Sequence, residues 1–186
     1  MWRRLLPVAF AGVCLTALAS ISAEGQTSRA GKIASATKAA PASISRNATV
    51  KDWPGKDGKM VVLREGSNGW VCLPSNPPTK YKKNDAMCLD AQWQEWLASA
   101  FENRPPRITQ VGYAYMLTAD EWGSNTDPMG AKEPTPDNQW HKQGPHVMVL
   151  YPDAKTLTGV PTRPSTMGPY VMMAGTPHAH VMWPVR

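Results

Sequence analysis

The chain has 186 residues, of which 42% are hydrophobic and 18% are charged, a composition typical of one globular domain with an additional segment. It contains 18 prolines, 14 glycines and only 3 cysteines, which argues against a helical bundle and excludes a small scaffold held by many disulfides. The net charge of +6 arises before residue 52, because residues 52–186 contain thirteen basic and thirteen acidic side chains. Nucleic acid is therefore not expected as a partner.

The first 23 residues have the pattern of a secretory signal peptide. Arg3 and Arg4 precede an apolar run from Leu5 to Ala19, and small residues follow up to Ala23. The run is shorter than the roughly 20 residues that a transmembrane helix needs. We therefore expect cleavage after Ala19 or Ala23, a secreted or periplasmic protein, and no membrane span once the signal is removed.

Residues 24–51 consist mainly of Ala, Ser, Thr, Lys and Gly, with almost no large apolar side chain. A segment of this kind buries too little surface to offset the conformational entropy that it loses on folding. The composition therefore predicts a disordered spacer over residues 24–51 and a single globular domain over residues 52–186.

The first strands of this domain are predicted at residues 60–64 and 70–73, on either side of a turn that ends in Asn68-Gly69. Cys72 lies in the second of these strands, and Cys88 is the only other cysteine of the domain. Because exported proteins are oxidised, the two are expected to form a disulfide bond. A reactive or metal-binding cysteine pair is the alternative.

A helix is predicted over residues 90–103. Asp90 suits its N-cap, and the apolar side chains recur at the spacing of one helical face, at positions Trp93, Trp96, Leu97, Ala100 and Phe101. We expect this face to be buried against a sheet. The next segment, residues 108–118, alternates large and small side chains, a pattern that indicates a strand.

The C-terminal part is predicted to contain one long loop and three short strands. Residues 119–143 are polar and rich in proline, which favours an irregular loop. The strands are expected near residues 146–151, 169–174 and 179–185. The resulting fold class is α+β: an antiparallel sheet of five to seven short strands with one main amphipathic helix packed on it.

Several segments of this domain resemble a group of exported bacterial proteins with no assigned activity. The resemblance rests on NGWVCLP, MCLDAQW, GYAYML, GPHVMVLYPD and GTPHAHVMWPV, which are spread over residues 52–186. It implies export and one compact domain, and it carries no catalytic residues.

A metal site is one hypothesis for the C-terminal strands. His146 and Met148 are two residues apart, as are His178 and His180 and again His180 and Met182. Residues two apart share one face of a strand. If the strands are adjacent and in register, imidazoles and thioethers converge, and this donor set suits copper or zinc. Core packing by these histidines and methionines is the alternative.

Hydrolase motifs such as G-x-S-x-G and H-E-x-x-H are absent from the sequence. Tryptophan outnumbers phenylalanine by 8 to 2, and Trp53, Trp122 and Trp140 lie in segments without a helical or strand pattern. We therefore interpret the protein as a small exported binding or interaction protein without catalytic activity, whose partner is a small ligand or another protein. A secreted hydrolase-like enzyme and a tryptophan-lined sugar- or peptide-binding module are the alternatives.

Overall fold

The structure, a computed structural model, describes residues 28–185. The predicted signal peptide lies outside the described residues. The helices are α1 (Arg29–Thr37), α2 (Ala42–Ser45) and α3 (Ala91–Phe101), with a 3-10 helix at Ala154–Leu157. The strands are β1 (Thr49–Lys51), β2 (Val62–Arg64), β3 (Val71–Leu73), β4 (Lys82–Asn84), β5 (Met87–Leu89), β6 (Gly112–Met116), β7 (Asp120–Gly123), β8 (His141–Gln143), β9 (His146–Leu150), β10 (Tyr170–Met172) and β11 (His180–Pro184).

These strands form a large sheet and a small sheet. The large sheet has eight strands in the order β10-β11-β9-β6-β5-β3-β1-β2, and the small sheet has three in the order β4-β7-β8. All neighbours are antiparallel except β1 and β3, which are parallel. The predicted mixture of helix and antiparallel sheet is confirmed. The number of strands exceeds the five to seven expected, because several are only three residues long and too short to show a periodic pattern.

Helix α3 lies on one face of the large sheet. The carboxylate of Asp90 accepts hydrogen bonds from the backbone N–H of Trp93 (3.0 Å) and from that of Tyr113 on β6 (2.6 Å), so it joins the start of the helix to the sheet. The side chains of Trp93, Trp96 and Leu97 are buried in the core. Phe101, expected to be buried with them, is 50% exposed. Helical spacing fixes the side on which a residue lies but not how far the facing sheet extends.

The spacer predicted over residues 24–51 is wrong where the structure describes it. Residues 28–51 form α1, α2 and β1, and the first of these helices covers the face of the sheet opposite α3. Its one fully buried residue is Ala36, and Ala39 and Ala40, which follow the helix, are almost inaccessible to solvent as well. Ile33 packs partly buried against the same cluster. The prediction counted only large apolar residues. Small side chains bring a helix close enough to a sheet to bury backbone and Cβ atoms instead.

The disulfide between Cys72 and Cys88 is confirmed. The two residues are directly opposite each other on β3 and β5. Both are fully buried beneath α1, where the backbone oxygen of Ala36 lies 3.5 Å from the sulfur of Cys88.

The long loop predicted over residues 119–143 is also wrong in part, because it contains β7 and β8. Between these strands the chain is fixed by Asn125. Its buried side-chain amide donates hydrogen bonds to the side-chain oxygen of Gln139 (2.9 Å) and to the backbone oxygens of Thr162 (3.1 Å) and Val171 (3.2 Å). This residue therefore ties the small sheet to β10 and to the segment before it.

Over residues 28–185, no helix combines the length and the apolar character that crossing a membrane requires.

Candidate functional site

A cavity of about 410 Å³ lies at the junction between the two sheets. Its walls come from β8, the turn before β9, the start of β9, residues 164–166 and the ends of β10 and β11, and the side chains used below are His141, Gln143, His146, Ser165 and Tyr170. The volume falls within the range of about 300–1,000 Å³ that is usual for small-ligand pockets. The cavity is therefore large enough to hold a small ligand.

The register of the small sheet decides which side chains share a face with His141. Glu121 on β7 is opposite Lys82 on β4 and opposite Gln143 on β8. Directly opposite residues share a face of a sheet, and His141 shares the face of Gln143 because the two are two residues apart. The other face carries Lys142 and the exposed side chain of Trp122. The polar residues on the first face therefore form one group.

Glu121 has a raised pKa although it lies beside a lysine. Its side chain is 11% exposed and lies 3.4 Å from the ammonium of Lys82, which also lies 3.2 Å from the carboxylate of Asp85. Burial raises the pKa of Glu121 to about 7, the charge of Lys82 opposes this, and the charge of Asp85 adds to it. Burial disfavours the charged form of Lys82, but its two carboxylates outweigh burial and raise its pKa. Burial is therefore the main cause of the raised pKa of Glu121, and Lys82, which it shares with Asp85, offsets only part of it.

His141 and Tyr170 form a neutral pair at the cavity. The imidazole Nδ1 lies 3.1 Å from the backbone oxygen of Gln139, and Nε2 lies 2.9 Å from the hydroxyl of Tyr170. A carbonyl oxygen only accepts, so Nδ1 carries the proton and Nε2 accepts from the hydroxyl. Burial lowers the pKa of His141 and raises the pKa of Tyr170. Both rings are therefore uncharged and already bonded to each other.

His146 presents a different situation. Its Nδ1 donates to the backbone oxygen of Gly144 at 2.7 Å, which leaves Nε2 as a bare acceptor. The residue is 3% exposed, and burial lowers its pKa to about 4. Within residues 28–185, this buried Nε2 has no hydrogen-bond partner. A cavity-lining histidine with a buried, unpaired Nε2 is the most specific chemical feature of the site.

His178 and His180, proposed with His146 as metal ligands, lie under α3. The Nε2 of His178 is 3.1 Å from the hydroxyl of Ser99. His180 packs edge-on against Trp93 and Trp96, with ring centroids 4.9 and 5.4 Å apart. Its Nδ1 donates to the backbone oxygen of His178 at 3.0 Å, and its buried Nε2, like that of His146, has no partner among the described residues.

The histidine strands are adjacent, as the metal hypothesis required, but they are offset. Met148 is directly opposite Met182, whereas His146 is opposite Pro184. His146 and His180 therefore lie at opposite ends of the methionine pair on one face of the sheet. Among residues 28–185, no three His, Cys, Asp or Glu side chains are grouped so as to hold a metal ion. The predicted convergence of three imidazoles is therefore wrong, because the antiparallel register separates them.

The three tryptophans predicted to bind a ligand have separate environments. The indole N–H of Trp53 donates to the backbone oxygen of Pro74 at 2.7 Å, and its ring packs against the main core. Trp140 contacts the ring of Tyr81 with centroids 5.0 Å apart. Trp122 is 45% exposed on the outer face of the small sheet. None of the three is in the wall of the cavity.

Sequence reasoning missed Glu121, His141, Gln143 and Tyr170, which the structure groups at or beside the cavity. His141 and Gln143 are two residues apart, a spacing that places both on one face of a strand. Three residues are too few for this pattern to predict a strand. Comparison of the chain with models of known protein families, with curated proteins and with solved structures finds no match.

Proposed function

We propose that the protein is a small, exported, non-catalytic binding protein whose ligand enters the cavity between the two sheets and engages Nε2 of His146. The observation that carries this proposal is that His146, a residue of the cavity wall, has a buried Nε2 without a hydrogen-bond partner among the described residues. Leaving such a group without a partner costs about 1–3 kcal/mol. A bound hydrogen-bond donor or metal ion recovers that free energy, so ligand binding and protein stability are linked.

The hydrogen bonds around the cavity favour binding over catalysis. Both nitrogens of His141 are already occupied, by Gln139 and Tyr170. The raised pKa of Tyr170 makes its hydroxyl a weak acid. The hydroxyl oxygen of Ser165 accepts a hydrogen bond from the backbone N–H of Met167 at 3.0 Å, which is a turn contact and not the activation of a nucleophile. A hydrolase-like role therefore has less support than a binding role.

In this proposal α3 is the main amphipathic helix, and its role is to support the sheet from which His146 projects. Export through the predicted signal peptide completes the proposal. Oxidising conditions outside the cytoplasm suit the disulfide between Cys72 and Cys88.

A melting-temperature screen tests the binding function. The exported protein is heated with single amino acids, monosaccharides, nucleosides, aromatic acids and transition-metal ions, each supplied in excess. We expect at least one of them to raise the melting temperature, since a ligand at 100 times its Kd adds about 2.7 kcal/mol. The shift should disappear in His146→Phe, which keeps a ring but removes both nitrogens.

Two glycine variants provide the matched control. Gly144 is in the cavity wall and Gly168 is not, and a Cβ at either position would meet no atom within 4 Å. Gly144→Leu should weaken the shift by occupying space at the cavity, and Gly168→Leu should leave it unchanged. If no compound stabilises the protein, or if the shift survives in His146→Phe, the cavity is not the binding site.

A further inference from the structure

We infer that the ligand of the cavity is a short, uncharged peptide that pairs in extended conformation with the free edge of β8. This inference rests on the proposed function, because it names the ligand class of the same cavity. It adds a second contact, the backbone of β8, to the one proposed for His146.

The backbone of Lys142 points away from the rest of the small sheet. Trp122 on β7 donates its backbone N–H to the oxygen of Tyr81, on the β4 side, at 2.6 Å. Backbone groups alternate in direction along a strand, so the preceding residue, Glu121, faces β8 and bonds to its partner Gln143. Lys142, the neighbour of Gln143, therefore directs its N–H and C=O towards the open side of β8.

Neither of these backbone groups of Lys142 has a hydrogen-bond partner within residues 28–185. β8 is the last strand of the small sheet, and the cavity wall follows it from His141 to Pro145. A free strand edge of this kind is a template on which an extended peptide adds as a further strand. The edge of β8 therefore offers one backbone donor and one backbone acceptor beside the cavity.

The other strand edge at this cavity is already occupied. Tyr170, at the start of β10, is in the cavity wall, and β10 is the last strand of the large sheet. The backbone N–H of Val171 donates to the oxygen of Pro161 at 2.7 Å, and the oxygen of Val171 accepts from the side-chain amide of Asn125 at 3.2 Å. We therefore expect a peptide in the cavity to add to β8 and not to β10.

The cavity wall favours a short peptide that is apolar and uncharged. It includes Pro164, Pro184 and Tyr170. Of the described residues in the wall, only Lys142 carries a charge, and its ammonium lies 3.3 Å from the carboxylate of Asp120. A strand of three residues spans about 10 Å, so β8 matches about three residues of a peptide. A segment of this length fits the space, whereas a folded domain does not.

Strand pairing also sets the order of side chains in the peptide. Antiparallel addition continues the pattern of the small sheet, and it places one peptide residue opposite Lys142, with which that residue exchanges two backbone hydrogen bonds. The two neighbours of this residue lie opposite His141 and Gln143 and share their face, on which His141 contacts Tyr170. These two neighbours should therefore be apolar, and the residue between them needs a backbone N–H.

Peptide binding by the exported protein provides the test. The probe is a mixture of acetylated, amidated pentapeptides with Val, Leu, Ile or Phe at the second and fourth positions and Ser or Thr at the others. We expect it to raise the melting temperature and to slow the amide hydrogen exchange of Lys142 by about tenfold or more, because a paired N–H is protected. The same mixture with an N-methylated third residue should do neither, since it lacks the N–H that the oxygen of Lys142 accepts.

A proline variant of β8 tests the edge from the side of the protein. Lys142→Pro removes the free N–H, at an edge position where proline is tolerated, and it should weaken the apparent affinity by about tenfold. Lys56→Pro is the matched control and should bind normally. Lys56 follows Gly55 in an exposed turn, which the N–H of Gly58 closes onto the oxygen of Gly55 at 3.0 Å, and proline suits this position of a turn.

Equal binding by Lys142→Pro and Lys56→Pro, or equal binding of the methylated and unmethylated peptides, would contradict the inference. If Lys142→Pro does not fold, the methylated peptides and the amide exchange of the wild type still decide the question. A dimer that forms without peptide and that Lys142→Pro dissociates would assign the edge of β8 to a second copy of the chain, and the inference would be wrong.

The results separate this inference from the proposed function. If the peptides do not bind but another compound stabilises the protein through His146, the peptide assignment is wrong and the binding function stands. If the peptides bind at Lys142 and His146→Phe does not weaken them, the strand pairing stands and the contact with His146 is wrong. If neither the peptides nor any other compound stabilises the protein, both are wrong.

Discussion

At the scale of single residues, Glu121 shows how burial sets the charge of a side chain. It is close to one lysine, but that lysine also neutralises Asp85. Burial raises its pKa from 4.5 to about 7, and the shared lysine offsets this only in part. The folded protein binds the proton more tightly than the unfolded chain does, so the contribution of Glu121 to stability is present below about pH 4.5 and is lost as the pH rises through 7.

Glu121→Gln tests this dependence, because glutamine is uncharged at every pH. Between pH 4.5 and pH 8, the free energy of unfolding of the variant should increase relative to that of the wild type by up to about 3 kcal/mol. Urea unfolding at a series of pH values measures the difference. Glu102→Gln, at an exposed position after α3, is the control for removing one carboxylate. Parallel profiles for Glu121→Gln and the wild type would contradict the assigned protonation.

At the scale of elements, α1 shows that a helix with mostly small side chains can belong to a core. Its one large apolar residue, Ile33, packs partly buried against that core. It is anchored at its start by an ion pair between Lys32 and Asp52 (2.5 Å) and near its end by a hydrogen bond from the backbone N–H of Ser75 to the hydroxyl of Ser35 (3.0 Å). Ala36, the next residue, is fully buried, and its backbone oxygen lies 3.5 Å from the sulfur of Cys88. Close approach of the backbone therefore adds to the burial that the single isoleucine provides.

Two alanine variants of α1 test this packing. Ala36→Glu should destabilise the protein by about 3 kcal/mol or more, because it places an unpaired carboxylate in a buried position. Ala34→Glu is the matched control, since Ala34 is exposed on the same helix and should change stability by less than about 0.5 kcal/mol. Urea unfolding of both variants measures the effect. Equal stabilities would mean that α1 does not pack on the sheet.

At the scale of the whole molecule, the disulfide links the two parts of the chain that precede and follow the polar segment containing β4. Its cysteines are separated by 16 residues and lie under α1, with no exposed surface. A bond in this position acts mainly on the unfolded chain, whose conformational freedom it reduces. It is also shielded from reductants while the protein is folded.

The double variant Cys72→Ala/Cys88→Ala should therefore lose about 3 kcal/mol of unfolding free energy, the value expected for a loop of this size. Urea unfolding without reductant compares it with the wild type. Addition of a reductant should destabilise the wild type only after unfolding begins, and it should leave the variant unaffected. A double variant as stable as the wild type would show that the bond contributes nothing.

Local patterns were sufficient for the features that depend on neighbouring residues. The spacing of Trp93, Trp96 and Leu97 predicted α3 and its buried face, and the scarcity of cysteine left Cys72 only one partner within the domain. The C-terminal strands were also predicted close to their observed positions. Each of these inferences needed only the period of a helix or a strand, or the oxidation state of the compartment.

The candidate site depended on contacts that no local pattern contains. The sequence by itself determined that His146, Met148 and Met182 were on strands, but only the register of β9 against β11 decided that the two methionines face each other and that His146 and His180 are apart. In the same way, the pairing of β7 with β8 brought Glu121 beside Gln143. The physical reason is that strand register and sheet order are set by burial over the whole domain, whereas sequence periodicity reports only which face each residue occupies.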